Sequence, residues 1–188
     1  MPFIPSAALL QSAVVGSVWS HVTGVYYQPP GFDSAFHNAV HTLNQEWCVA
    51  FPISRDETIT SLTVRVTGAV ATSVLRLGLR LDNGGKPGTL LLDAGTVDTA
   101  STGNKSVSIS QAVTPGLIWV SMTGQVAAPD MYQMLCDYGV LTAYRGQNPD
   151  FNYSAGYYAT GVSGALPSPF TSAGQLDSVQ VTKVLVGF

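Results

Sequence analysis

Charged residues are scarce in this sequence of 188 residues. They make up 10% of the chain, whereas globular domains commonly carry about 25%. Lysine and arginine together number 8, against 11 aspartates and glutamates, and the basic residues form no cluster. Nucleic-acid-binding proteins usually carry a basic patch, so we expect no nucleic-acid partner. Soluble monomers generally use surface charge to stay apart. The low charge therefore favours a protein that is part of an assembly or lies outside the cell.

Cysteine and long apolar runs are also rare or missing. The two cysteines, Cys48 and Cys136, lie far apart. A disulfide between them is one alternative, and the expected state is two buried free thiols. The sequence has no apolar run of the length that spans a bilayer, so we expect no membrane insertion. The first twenty residues contain no lysine or arginine. Because a secretory signal begins with a charged segment, we expect synthesis in a cytoplasm without a signal peptide.

Short β-type runs separated by turn residues are what the sequence does contain. Leu62, Val64 and Val66 alternate with polar residues, which is the pattern of a half-buried strand. Asn83-Gly84 and the later Gly- and Pro-containing segments are typical of tight turns. Strands are predicted at Glu46–Ile53, Thr58–Thr67, Leu75–Asp82, Thr89–Ala94, Lys105–Gln111 and Leu117–Thr123, with a weaker one at Val25–Gln28 and a final one at Val179–Val186. The final strand changes parity near Lys183, which indicates a bulge. The spacing of the strands predicts an all-β, antiparallel sandwich or barrel with at most one or two short helices.

The predicted strands define a core and two regions of the chain. We expect residues 1–44, which are irregular apart from a possible helix at Ala7–Val15, to form an extended N-terminal arm for particle docking or subunit exchange. Residues 45–188 are the expected β-sandwich domain, with aromatic-rich loops at 125–175. The residues expected in the core are Leu62, Val64, Leu77, Leu79, Leu91, Val107, Ile109, Trp119 and Val181.

Three segments carry a resemblance to a known family. They read VAFPISRDETITSLTVRVT, RLGLRLDNGGKPGTLLLDAGTV and STGNKSVSISQAVTPGLIWVSM. They resemble a domain of bacteriophage virion proteins, namely tail-fibre-like and minor structural proteins. The matching region runs from about Trp47 to Thr123. The resemblance implies a jelly-roll β-sandwich within a virion. Its residues are mostly turns and core strands, so it implies a fold rather than an activity.

The segment from Gln125 to Gln175 is rich in aromatic residues and amides. It holds eight of the 18 aromatic residues of the chain and long stretches without periodicity, which are typical of functional loops. Tyrosine offers a flat apolar face and a hydroxyl, which suit the stacking of sugar rings. The alternative is that these tyrosines fill the core or a subunit interface. The predicted ligand-binding residues are Tyr144, Asn148, Asp150, Asn152, Tyr153, Tyr157 and Tyr158.

The sequence lacks the common motifs of reactive sites. The sequence has no nucleophile elbow, no phosphate-binding glycine loop and no paired cysteines with zinc spacing. His37 and His41 would share one face of a helix but lack the glutamate of a metalloprotease motif. Asp82-Asn83-Gly84-Gly85 resembles part of a calcium loop, although a hairpin turn explains it. The only glutamates, Glu46 and Glu57, lie away from the aromatic segment. We therefore expect no enzymatic activity, no metal and no cofactor.

These observations together lead to one functional hypothesis and two alternatives. The hypothesis is a non-enzymatic virion structural protein whose sandwich faces outward at a tail tip or fibre and binds a host-surface glycan. The first alternative is a head decoration or spike protein, and the less favoured one is a glycan depolymerase. The expected partners are copies of the chain in a homotrimer and other virion proteins contacted by the arm. The expected location is the virion.

Overall fold

The computed structural model of the chain describes residues 21–29, 32–136, 156–176 and 180–188, and regular secondary structure in these ranges is entirely β-strand. These ranges accordingly contain no helix of the length and apolarity that would cross a membrane. In chain order the strands are β1 (Tyr26–Tyr27), β2 (Phe32–Val40), β3 (Gln45–Ile53), β4 (Glu57–Gly68), β5 (Val74–Asp82), β6 (Pro87–Asp98), β7 (Gly103–Val113), β8 (Gly116–Gln125), β9 (Asp130–Cys136), β10 (Gly156–Thr160), β11 (Gly174–Leu176), β12 (Gln180–Thr182) and β13 (Leu185–Gly187).

The strands form two antiparallel sheets that pack face to face. The first sheet has the order β1-β13-β4-β9-β12, with β2 paired to β9 and β7 paired to β4. The second sheet has the order β11-β10-β3-β8-β5-β6. The predicted all-β antiparallel sandwich is therefore confirmed. The predicted strands agree with β3 to β8 within a few residues. The largest difference is β6, which continues past Ala94 because Gly95, at a φ of 84°, carries a bulge opposite Leu77 and Gly78.

The core lies between the sheets and follows the period-two alternation of the strands. Six of the nine predicted core residues are buried: Leu62, Val64, Leu77, Leu79, Trp119 and Val181. Leu91, Val107 and Ile109 are partly buried and pack against this core. Their burial is incomplete because β6 and β7 lie at the ends of their sheets and have a neighbouring strand on one side only. Trp119 is buried on the opposite face of the second sheet from the core, against Cys48, Ala50 and Tyr157.

The described part of the predicted arm belongs to the sandwich. Strand β1 pairs with β13, and β2 pairs with β9 along most of its length. The imidazole of His21 is buried and stacks on the ring of Phe188 at 4.0 Å between centroids. The boundary predicted at Asn44 is thus not an edge of the sandwich. Residues 1–20, including the predicted helix at Ala7–Val15, lie outside the described residues.

The C-terminal strand is divided where the sequence changes parity. Strand β12 pairs with β9, whereas β13 pairs with β4. Lys183 and Val184 connect the two, and the Lys183 N–H donates to the carbonyl oxygen of Tyr132 at 2.9 Å. The predicted irregularity near Lys183 is therefore a change of partner strand within the first sheet rather than a bulge.

The outer face of the second sheet is closed by residues 161–173, which we call the covering loop. Leu166 of this loop packs over Gly78 of β5, and a Cβ at Gly78 would overlap the Leu166 side chain. The N–H of Phe170 donates to the carbonyl oxygen of Gly88. The side chain of Gln125 donates to the carbonyl oxygens of Val162 and Gly164. A cavity lies at the outer face of the first sheet.

Candidate functional site

The cavity lies at a split in the first sheet. On the same side of β4, β13 pairs with residues 61–63 and β9 pairs with Val66 and Gly68. Between these two partners the edge of β4 is left open beside Val64 and Arg65. The opening is a cavity of about 180 Å³ that we call the notch. It is lined by Thr63, Val64, Arg65, Asn104, Tyr132, Lys183 and Leu185.

Strand alternation places the polar side chains of the notch. Val64 is buried in the core, so its neighbours Thr63 and Arg65 point to the outer face of the sheet. Asn104 of β7 pairs directly with Arg65, and Ser106 pairs with Thr63. The Thr63 and Ser106 hydroxyl oxygens lie 2.8 Å apart and form a hydrogen bond. Two adjacent strands therefore contribute a guanidinium, an amide and a hydroxyl on one side of the notch.

The other side of the notch is formed by Tyr132 and Lys183. The guanidinium carbon of Arg65 lies over the Tyr132 ring at 5.8 Å from its centroid, within the range of a cation–π contact. Lys183 is held next to Tyr132 by the backbone hydrogen bond between them. Burial lowers the pKa of the Lys183 ammonium from its usual value. The seven lining residues include two cations and no carboxylate. Such a surface can bind polar or anionic groups.

Most of the predicted ligand-binding residues lie elsewhere. Tyr144, Asn148, Asp150, Asn152 and Tyr153 are outside the described residues. Tyr157 and Tyr158, which were predicted in a loop, lie in strand β10 opposite Cys48 and Trp47 of β3.

The rings of the two β10 tyrosines take part in packing. Tyr157 is 7% exposed and packs edge-on against Trp119 at 5.6 Å between ring centroids. Tyr158 is half-buried and packs against the core. It also lies against Gly174, where a Cβ would come within 3.0 Å of its ring. For these two residues the structure corresponds to the packing alternative that the sequence left open.

The histidine pair does not have the geometry that the spacing suggested. His37 lies in β2, so the premise of a shared helical face was wrong. Both ring nitrogens of His41 are within 3.1 Å of partners in the chain, namely the Thr182 hydroxyl and the Gln45 carbonyl oxygen. Burial lowers the pKa of His41 to about 4. His41 is therefore a neutral, hydrogen-bonded core residue.

Asp82 and Cys48, which the sequence also singled out, both have hydrogen-bonding partners within the sandwich. The Asp82 carboxylate accepts hydrogen bonds from the Gly85 N–H and from the indole of Trp119, which fixes the β5–β6 hairpin. Cys48 is a buried free thiol 3.6 Å from a Glu46 oxygen. Burial, and next the Glu46 charge, raise the pKa of the Cys48 thiol.

A fully buried ion pair under the covering loop was missed by the sequence analysis. Glu46 and Arg80 are both completely buried, with Arg80 Nε 2.7 Å and Nη2 3.0 Å from the two carboxylate oxygens. Arg80 also donates to the carbonyl oxygens of Gly88 and Pro167, and the Ser121 hydroxyl donates to Glu46. The pair thus links β3, β5 and β8 to the covering loop. A charged residue within an apolar strand was the available signal.

Comparisons with known proteins add no family or relative to these geometric observations. Neither protein-family models nor curated proteins gave a match to the chain.

Proposed function

We propose that the chain is a non-enzymatic bacteriophage virion structural protein whose sandwich faces outward at a tail tip or fibre and binds a host-surface glycan. The observation that carries this proposal is the notch. Tyr132 supplies an aromatic ring, Asn104 and Thr63 supply hydrogen-bonding groups, and the cavity is open to the outer face of the sheet. Apolar faces with a few polar groups are typical of ligand sites. The virion location rests on the sequence resemblance alone.

Binding is favoured over cleavage by the positions of the glutamates. Glycoside hydrolysis commonly uses two carboxyl groups about 5–9.5 Å apart across the scissile bond. Glu46 is enclosed with Arg80 beneath the covering loop. Glu57 is 8% exposed and 2.6 Å from His21. Both glutamates are therefore engaged in the scaffold, and neither lines the notch.

Head decoration is the second candidate, and an apolar end of the sandwich favours it. This end holds the C-terminal end of β2, the β4–β5 turn and the β8–β9 turn. The pairing of Val74 with Gln125 places the two turns together. The exposed hydrophobic residues there are Val40, Leu43, Val70 and Val126. A decoration protein would bury such residues against its neighbours on a particle.

The proposed assembly is a homotrimer that contacts other virion proteins through the part of the predicted arm that precedes His21. The low charge and the apolar end support it, since closed symmetry buries uncharged surface. We expect sedimentation velocity to give a trimer at micromolar concentration. A monomer at that concentration would contradict this part of the proposal.

Variants at the notch test the binding function on whole particles. Asn104→Ala and Tyr132→Ala remove polar and stacking groups from the cavity, while Ser110→Ala, on the same face of β7 but outside the notch, is the matched control. We expect the two notch variants to reduce adsorption to host cells at unchanged particle yield and the control to adsorb normally. The purified chain should bind sugars on a glycan array, and the notch variants should bind less.

The opposite result identifies the alternative function. Normal adsorption by both notch variants, together with fragile particles when Val40 and Val126 are replaced by serine, would support head decoration instead. The predicted ligand residues outside the described ranges remain part of the proposal, and Tyr153→Ala tests them in the same adsorption assay. Tyr157→Ala is unsuitable, because removal of its ring would leave a cavity beside Trp119.

A further inference from the structure

The notch contains two of the few positively charged residues of the chain. The protein has 8 lysines and arginines and a net charge of −3. Two of the eight, Arg65 and Lys183, line one cavity of about 180 Å³. The Asp130 carboxylate lies against Gly68, beyond the end of the notch, and is not among its lining groups. Among the described residues, both charged groups that line the cavity are thus cations, although the protein as a whole is acidic.

The geometry of these cations suits an anionic group. Guanidinium presents paired N–H donors that match carboxylate or phosphate oxygens, and stacking on an aromatic ring orients its plane. The Arg65 guanidinium carbon lies 5.8 Å from the centroid of the Tyr132 ring, within the range of a cation–π contact. Lys183 adds a compact charge on the neighbouring side of the cavity, and Asn104 lies opposite Arg65 on β7.

We propose that the notch binds the anionic substituent of an acidic sugar, with Arg65 pairing with the carboxylate or phosphate and with Tyr132 and Asn104 contacting the sugar ring. This inference rests on the proposed function and adds the class of ligand. The cavity has room for about one sugar unit. Each site is therefore weak, and repeated copies on a particle supply avidity.

The partial burial of Lys183 is consistent with this class of ligand. Burial lowers the pKa of its ammonium. A bound anion would favour the charged form of Lys183, whereas a neutral sugar would not. Hydrogen bonds to charged groups also contribute more than neutral ones, which corresponds to about tenfold in affinity or more.

The test is a titration of the isotope-labelled full chain, followed by backbone amide NMR, with four probes: glucose, glucuronate, glucose 6-phosphate and inorganic phosphate. We expect glucuronate or glucose 6-phosphate to shift the amide signals of Arg65, Asn104 and Tyr132 and to bind at least about tenfold more tightly than glucose. The two acids separate a carboxylate ligand from a phosphate ligand. Added salt should weaken the binding.

Substitutions assign the effect to Arg65. Arg65→Met should remove the preference for the acidic sugar, and Arg65→Lys should retain only part of it because lysine lacks the paired donors. Lys86→Met is the matched control, since it removes one exposed cation at the β5–β6 turn, outside the notch. The control should bind as the parent protein does.

Three results would overturn the inference. Equal binding of glucose and glucuronate at the notch would remove the acidic class and leave the glycan-binding function intact. Inorganic phosphate binding as tightly as glucose 6-phosphate would show a site that ignores the sugar. Absence of shifts at the notch with every probe would also refute it. The glycan-binding function itself fails only if the array and the adsorption assay are negative as well.

Discussion

At the scale of single residues, burial decides how much each ion pair contributes. Arg80 and Arg76 lie on the same face of β5, four residues apart, and each pairs with a carboxylate. The Arg76–Asp93 pair is about a fifth exposed, whereas the Arg80–Glu46 pair is fully buried. Removing one partner of a buried pair leaves an uncompensated charge, which costs far more than loss of an exposed pair.

We expect Arg80→Met to lower the free energy of unfolding by about 3–5 kcal/mol. Arg76→Met, the matched control, should lower it by about 1 kcal/mol or less. Urea denaturation of the purified variants measures both. The double variant Arg80→Met, Glu46→Leu should recover part of the loss, because no charge is then left buried. Equal effects of the two single substitutions would contradict this account.

His41 predicts a dependence of stability on pH. Its pKa is about 4 in the folded protein and 6.5 in the reference state. Between these values the unfolded chain takes up a proton that the folded chain does not, so stability rises with pH. The difference corresponds to about 3 kcal/mol, lost as the pH falls from 6.5 to 4. We expect His41→Gln to show a shallower fall over this window in urea denaturation. An unchanged slope would refute it.

At the scale of elements, the covering loop depends on the absence of a side chain beneath it. Gly78 lies under Leu166, and an added Cβ would also come 2.7 Å from the Leu92 carbonyl oxygen. Hydrogen bonds from Leu166 to Asp93 and from Arg80 to Pro167 complete the attachment of the loop. Close packing and polar contacts together hold the loop on the sheet.

Gly78→Ala should therefore displace the covering loop and cost about 1–3 kcal/mol, the range for overpacking. Gly164→Ala is the control within the same loop, because a Cβ there meets nothing within 4 Å. We expect faster proteolytic cleavage in residues 161–173 for Gly78→Ala alone. Cleavage at the parent rate would show that the loop tolerates the added methyl.

At the scale of the whole molecule, the sandwich includes residues that the sequence assigned to an arm. His21 is 2.6 Å from Glu57 and stacks on Phe188, and the Gly24 N–H donates to the Phe188 carbonyl oxygen. Any segment that anchors the protein separately from the sandwich must therefore precede His21.

Deleting residues 1–20 should leave the sandwich folded and abolish incorporation into particles. Deleting residues 1–24 should in addition destabilise it, because a buried imidazole is removed. Thermal unfolding measures the stability of the sandwich, and the copy number in purified particles measures incorporation. Normal incorporation of the shorter deletion would show that residues 1–20 are not the anchor.

The sequence predicted the sandwich well but the notch poorly, and the reason is physical. Alternation at Leu62, Val64 and Val66 is a local property, so strand β4 and its inward face could be predicted. The incomplete burial of Val107 depends on which strand lies at a sheet edge. Local alternation carries no information about that position. The notch depends on the change of partner between β12 and β13. The sequence shows that change only as altered parity near Lys183.

The three-strand connection from β4 through β13 to β1 has a mechanical consequence. A ligand bound at Arg65, as proposed, would pull on β4, while an anchor before His21 would pull on β1. Part of the tension would pass through β13, and part through the contact of His21 with Glu57 at the start of β4. The ladders along the first path are short, with two residue pairs between β1 and β13 and three between β13 and β4. We therefore expect these ladders to open before the longer pairings of the sandwich when an attached particle is pulled.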